Sequence, residues 1–189
     1  KEKQFSLFKV YRFFACWIYG FSAIGFWILL TPLVDLWLGE GWLLSGAIVG
    51  CILVDYYFKG DRIVLSNYKT AAGVFEQDKY LALIQGAVNL VISIVLVQKI
   101  GLIGVYIGTI VSGLIANITK PIIIYKTCFD KRAWSYFADS AKYLLTLVVT
   151  GACIYGISRV VMPKVTFLSF GLMAVIITIV YNVVFLAVF

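Results

Sequence analysis

Apolar runs of membrane-spanning length alternate with short polar connections along the whole chain. Phe13–Leu36 is the first run, interrupted near its end by Thr31-Pro32, and Leu81–Val97, Leu102–Tyr125, Tyr143–Met162 and Phe167–Phe189 repeat the theme. Each is close to the ~20 residues a helix needs to cross a hydrocarbon core of about 30 Å. A sixth run, Gly46–Ser66, has the same length but carries Asp55, Lys59, Asp61 and Arg62. The pattern therefore predicts an all-α integral membrane protein, a bundle of about six transmembrane helices. Its connections are the acidic, tryptophan-bearing Asp35–Trp42, the polar Lys69–Lys79, the tight turn Gln98–Gly101 and Pro163-Lys164. Lys1–Arg12 mixes bases with aromatics and reads as a juxtamembrane segment. Lys126–Lys142 is the one extended stretch between spans. Its Phe129, Trp134, Phe137, Ala138 and Ala141 recur at helical spacing, which predicts an amphipathic helix lying in the interface.

Patterning inside the runs predicts how the helices meet. Gly104, Gly108, Ser112 and Ala116 recur every fourth residue, and Gly46 and Gly50 do the same in the charged run. Small residues at this spacing let a neighbouring helix approach closely. Asn89 and Ser93 share one face of their span, and Thr109, Gly113 and Asn117 form a polar row beside the glycine stripe. Pro121 follows Lys120 within the fourth span and predicts a kink there.

Composition agrees with the pattern. Hydrophobic residues make up 62% and charged residues 13% of the 189-residue chain, and its mean hydropathy is +0.99. A typical soluble domain is about one-quarter charged. A net charge of +7 would suggest nucleic acid in a soluble protein. Here most bases sit in connecting segments, so topology accounts for them and no nucleic-acid partner is expected. Lys1, Lys3, Lys9, Arg12, Lys69, Lys79, Lys126, Lys131, Arg132 and Lys142 fall on one side, against Lys99, Arg159 and Lys164 on the other. That bias places both chain ends in the cytoplasm. The chain starts at Lys1 and stops inside an apolar run at Phe189, so residues 1–189 read as a fragment of a longer polytopic protein.

Little in the chain points to covalent chemistry. There is no histidine, which removes the usual general base and the commonest metal ligand. The four cysteines are widely spaced, three of them in apolar segments, and read as small buried hydrophobes. Gly101, Gly104 and Gly108 have the wrong spacing for a dinucleotide loop. The glycosylation sequon at Asn117-Ile118-Thr119 falls within a span and is discounted. No enzyme, cofactor or metal site is expected.

The candidate chemistry lies on the charged run. At about 100° per residue, Asp55, Lys59, Arg62 and Ser66 fall on one face, while Asp61 points away and is assigned only a reach toward the interface. An ionised side chain near the bilayer centre costs roughly 2.5–3.5 kcal/mol on insertion scales. Two explanations are open. Asp55 and Lys59, four residues apart, neutralise each other, or the face lines a polar path for something charged. Lys120 adds a third intramembrane cation. Asn89 and Asn117 suit interhelical hydrogen bonds or substrate contacts.

The run AAGVFEQDKYLALIQGAVNLVISIVLVQKIGLIGVYIGTIVS (residues 71–112) resembles the C-terminal half of polysaccharide exporters, the O-antigen and capsule flippases. The ordered features are the turn Gly73–Phe75, Asn89-Leu90 with Ser93, and Gly104, Gly108-Thr109 and Ser112. Pro121, Tyr125-Lys126, Phe129 and Tyr136-Phe137 continue the resemblance. It implies the polysaccharide branch of the multidrug/oligosaccharidyl-lipid/polysaccharide exporter superfamily, with this chain as one lobe of a two-lobed exporter lacking its N-terminal bundle. The implied activity is flipping of undecaprenyl-diphosphate-linked oligosaccharides across the bacterial cytoplasmic membrane. Polysaccharide polymerase machinery would be a partner. Lys59, Arg62, Lys120, Asn89 and Asn117 would then meet the anionic head group, and Asp55 would act as counter-ion or as a proton or sodium coupling site. A cation-coupled drug exporter of the same superfamily, a membrane enzyme of polysaccharide assembly and a purely structural subunit are the alternatives. The three intramembrane bases lean toward an anionic substrate.

The charge bias makes a direct prediction about topology. On a cysteine-free background, an impermeant thiol reagent outside the cell should label a cysteine placed at Gly39 and miss one placed at Gln77. The reverse pattern would invert the orientation.

Overall fold

Six long helices account for most of the chain in the computed structural model, which describes residues 2–189. Lys1, counted above among the bases of the N-terminal side, lies outside the described residues, as do the side chains of Glu40, Gln77 and Asp78. The helices are α1 (Glu2–Leu38), α2 (Gly46–Ala71), α3 (Glu76–Ile100), α4 (Leu102–Ile124), α5 (Trp134–Val161) and α6 (Phe167–Val188). A short 3₁₀ turn, Glu40–Trp42, precedes α2, and a π-helical turn, Tyr125–Phe129, extends α4. Among the described residues there is no strand. All but α2 are long and apolar enough to cross a membrane. The chain is thus an all-α, multi-pass membrane bundle, with the charge-rich α2 flanked by α1 and α4.

Helix α2 lies between α1 on one side and α4 on the other, and α4 carries α3. Helices α5 and α6 pack on each other and on α1. Alternating chain direction gathers the basic ends at one end of the bundle. There Phe5, Phe8, Val64, Leu65, Tyr125, Phe129 and Tyr136 form one buried core. A second core joins Ile24 and Ile28 of α1 to Ile154 of α5 and to Met173, Ile177, Tyr181 and Phe185 of α6.

Three expectations about the elements are corrected. The N-terminal segment is not a separate juxtamembrane stretch: α1 runs unbroken through Arg12, Thr31 and Pro32 to Leu38. At about 1.5 Å per residue this helix is about 55 Å long, so it overshoots a bilayer and its basic first turns pack on the aromatic core. Lys126–Lys142 does not form an interfacial helix. Its first residues continue α4 as the π turn, Asp130 reverses the chain with φ +57°, and Trp134 already begins α5. Of the periodic residues, Phe129 enters the core and Phe137 packs against it, whereas Trp134, Ala138 and Ala141 are exposed. Gly46 has nothing close to its Cα, whereas Gly50 lies against the Trp27 ring of α1, so only half of that small-residue pair is a packing seam.

The glycine stripe of α4 is a seam against α3. A Cβ on Gly104 would strike the Leu96 backbone, and one on Gly108 would strike Ser93. Gly101 alone reverses the chain between α3 and α4; its φ of +66° suits a residue without Cβ, and its N–H donates to the Val97 carbonyl at 3.0 Å. Two further close approaches gave no periodic signal: Gly20 faces Tyr181 of α6, and Gly60 faces the Tyr19 ring of α1.

In lipid, apolar side chains gain little by leaving their surroundings, so van der Waals fit carries helix association. Gly108→Leu should therefore overpack the α3–α4 seam and cost about 1–3 kcal/mol. The expected result is a lower melting temperature and a lower folded yield. A variant that melts like the parent would mean that the stripe is not a seam.

Candidate functional site

Helix α2 has two polar faces about 140° apart around its axis, and the bundle treats them differently. Asp61 faces α1 and α5. Its Oδ1 accepts from Arg12 Nη2 at 3.1 Å and from Nε at 3.3 Å, and its Oδ2 accepts from Tyr136 Oη at 3.1 Å and from Ser140 Oγ at 2.7 Å. Cys16 Sγ adds a weak donor to Oδ1 at 3.5 Å. Arg12 also donates to the Tyr136 carbonyl at 3.1 Å and to Ser140 Oγ, and its guanidinium lies 3.6 Å from the Tyr136 ring centroid. Asp139 Oδ2 lies 3.9 Å from Arg12 Nη1. The Arg12 side chain is 3% exposed and that of Asp61 14%.

Asp61 therefore does not reach the interface, as its position off the charged face suggested. It is the centre of a buried ionic knot. Arg12, counted above as a topogenic loop charge, is the partner. Local patterning could not pair them, because they are 49 residues apart and the remaining donors come from a helix that begins 73 residues after Asp61.

The second face meets α3 and α4 around an open cavity of about 330 Å³, lined by Asp55, Lys59, Arg62, Gln85, Asn89 and Thr109 among others. Lys59 Nζ lies 2.6 Å from Asp55 Oδ2, so the four-residue spacing does form an ion pair. That pair is asymmetric, with the Lys59 side chain 56% exposed and the Asp55 side chain 16%. Arg62 is half-buried near the middle of α4. Its Nη1 donates to the Gly113 carbonyl at 2.7 Å and to Asn117 Oδ1 at 3.0 Å. Nε and Nη2 make no hydrogen bond to the described residues. Asn117 Nδ2 is buried without a hydrogen-bond partner among them.

Sequence reasoning thus named most of this cavity's charged and polar residues. Asp55, Lys59, Arg62 and Asn89 line it, and Asn117 contacts it through Arg62. Asn89 Nδ2 donates to Ser112 Oγ at 3.0 Å and Thr109 Oγ1 at 3.3 Å, as an interhelical partner would. Lys120 is displaced from the cavity: its Nζ donates to Ser66 Oγ at 3.2 Å, and it lines a smaller cavity beside Gln85 and Thr119. Gln85 was missed, although it lies one turn before Asn89 on the same face of α3. Among the described residues no cluster of carboxylates, cysteines or histidines fits a metal ion.

Fold and cavity together define a polytopic α-helical membrane bundle with a charged pocket on the flank of its one charged helix. Comparison with family models, curated proteins and solved structures finds no match in any of the three.

The two faces of α2 should respond differently to mutation. Removing one partner of a buried ion pair costs about 3–5 kcal/mol, because the other charge is left unpaired. Asp61→Asn should therefore lower the melting temperature sharply, and pairing it with Arg12→Met should recover much of the loss. Asp55→Asn, beside the exposed Lys59, should change the melting temperature little. Equal loss at both sites would contradict the distinction.

Proposed function

We propose that the chain is one bundle of an exporter that flips anionic lipid-linked oligosaccharides across a bacterial cytoplasmic membrane. The observation carrying this reading is the arrangement around Arg62: two cations and one carboxylate meet polar groups of α3 and α4 in one cavity within the apolar bundle. Two of the three guanidinium nitrogens of Arg62 are uncommitted to the described residues, and Lys59 is largely exposed. Such groups suit a diphosphate, which takes a guanidinium bidentately and an ammonium as a point charge. Water exclusion within the membrane strengthens the attraction.

Flipping breaks no covalent bond, so this site needs only to replace the hydration of a charged head group while the lipid tail stays in the bilayer. Asn89, Gln85 and Thr109 offer neutral hydrogen-bonding groups along the same wall. Asp55 serves as the resting partner of Lys59 and hands it over when an anion arrives. As the C-terminal lobe of a two-lobed exporter, the bundle would share its substrate path with an N-terminal bundle and pass product to polysaccharide polymerase. The drug-exporter alternative needs a cavity that attracts lipophilic cations. Here the lining carries Lys59 and Arg62 against Asp55 alone, which favours anions.

The test is surface polysaccharide per transporter in cells expressing the complete exporter. Arg62→Gln should reduce it roughly tenfold, the scale of one charge-assisted hydrogen bond, with membrane insertion unchanged. Arg62→Lys should retain more activity than Arg62→Gln. Full export by Arg62→Gln and by the Asp55→Asn/Lys59→Gln double variant would sink this reading.

A further inference from the structure

The ionic knot joins α2 to α5 through Asp61, Tyr136 and Ser140. Beyond it, residues of α2, α5 and α1 line a cleft. The cleft has a volume of about 720 Å³, and its walls are apolar, with Ile24, Leu53, Val54, Leu147, Val148 and Gly151 typical of them. It follows α5 from Leu144 to Tyr155, a rise of about 16 Å. Apolar walls over that length suit a hydrocarbon chain, which needs no polar partner.

Past Trp27 and Tyr155 the cleft continues into a second cavity of about 370 Å³ with a different lining. Thr31, Ser158 and Arg159 line this part, together with Gly46 at the start of α2. Arg159 is the only charged residue lining either cavity among the described residues. It is exposed, and its Nη2 donates to Tyr155 Oη at 2.8 Å, with no ion pair to a carboxylate among the described residues. The N-terminus of α2 opens at the same place with no side-chain cap from Ser45, adding its positive dipole end. This mouth lies at the helix ends, where lipid head groups lie, and Trp27 and Tyr155 suit that level.

We propose that the cleft between α1, α2 and α5 is a binding site for one anionic phospholipid. One acyl chain fills the apolar slot and the head-group phosphate sits on Arg159 at its mouth. The charge at the mouth selects the head group, and the apolar walls take the acyl chain. The lipid supplies the contact between α2 and α5 that the protein lacks above the knot. This proposal does not depend on the exporter reading, since its cleft lies on the opposite flank of α2 from the Arg62 cavity.

Native mass spectrometry of the delipidated, purified chain in detergent tests it, with dioleoylphosphatidylglycerol and dioleoylphosphatidylcholine as probes. One phosphatidylglycerol should be retained, preferred over phosphatidylcholine roughly fivefold, the contribution of one interfacial basic residue. Arg159→Gln should abolish the preference, whereas Lys99→Gln, a lone base elsewhere on the same end of the bundle, should keep it. Gly151→Phe should fill the slot and lose the retained lipid of either kind. A Cβ there meets only Ile24, at ordinary contact distance, and Ala152→Phe repeats the test should that variant fail to fold. Glycerol phosphate, which has the anion and no chains, should not bind. Preference that survives Arg159→Gln, lipid retained in both slot-filling variants, equal binding of glycerol phosphate, or a dimer that Gly151→Phe dissolves would each overturn the proposal.

Discussion

Asp61 sits where α1, α2 and α5 converge, in a bundle whose interior offers almost no water, and a carboxylate there must be neutralised by protein groups. Arg12 supplies the charge, while Tyr136 and Ser140 supply the remaining donors. Helix α2 carries too many charges to be read as a span by its own hydropathy, so its place in the bundle depends on such partners. The arrangement also has a geometric consequence. Three helices are held together there by directional bonds, with the aromatic core on the basic side of the knot and the apolar cleft between α2 and α5 on the other.

The two polar faces of α2 differ in how completely the protein satisfies them. Around Asp61 both carboxylate oxygens accept hydrogen bonds, and the buried cation is stacked on an aromatic ring. Around Arg62 one nitrogen is fixed to α4 while the rest of the fork faces a cavity, and the neighbouring lysine is mostly exposed. A fully satisfied buried network resists change, because any displacement strands a charge. A partly satisfied one near water tolerates the exchange of partners. The satisfied network and the partly satisfied one therefore lie on different faces of the same helix, and the proposed function places ligand exchange on the Arg62 face.

Most of this architecture follows from periodicities within single segments, and those were legible. The number of helices, the glycine seam of α4, the Asp55–Lys59 pair and the shared face of Asp55, Lys59 and Arg62 all depend on spacings of three, four or seven residues. The knot was illegible for the same reason, since Arg12, Asp61 and Ser140 meet only through tertiary packing. Arg12 looked like a loop charge because α1 exceeds bilayer thickness, and hydropathy alone does not say where a long helix enters the membrane. Lys126–Lys142 misled because its apolar spacing runs across a chain reversal: Phe129 and Tyr136 enter the basic-end core, while Trp134, Ala138 and Ala141 stay exposed. Lys120 shared the angular position of the site and missed it by depth, because its amine reaches Ser66, one turn beyond Arg62.

The walls of the Arg62 cavity are anchored unequally. Helix α2 is fixed to α1 and α5 through Asp61 and to α1 again where Gly60 admits the Tyr19 ring. Helix α4 is fixed through the Tyr125–Phe129 turn, whose aromatics enter the basic-end core. Helix α3 has no buried residue among the described ones and packs chiefly on α4. Its register rests on the Gly104 and Gly108 seam and on the bonds from Asn89 to Thr109 and Ser112. Those bonds lie in the cavity wall itself, so a ligand that competes for Asn89 also loosens the helix that carries Asn89. The charged wall of the pocket is thus tied into the bundle at more places than the neutral wall. Under the proposed exporter function, that division puts affinity on the more firmly held helix and adaptation to shape on the other.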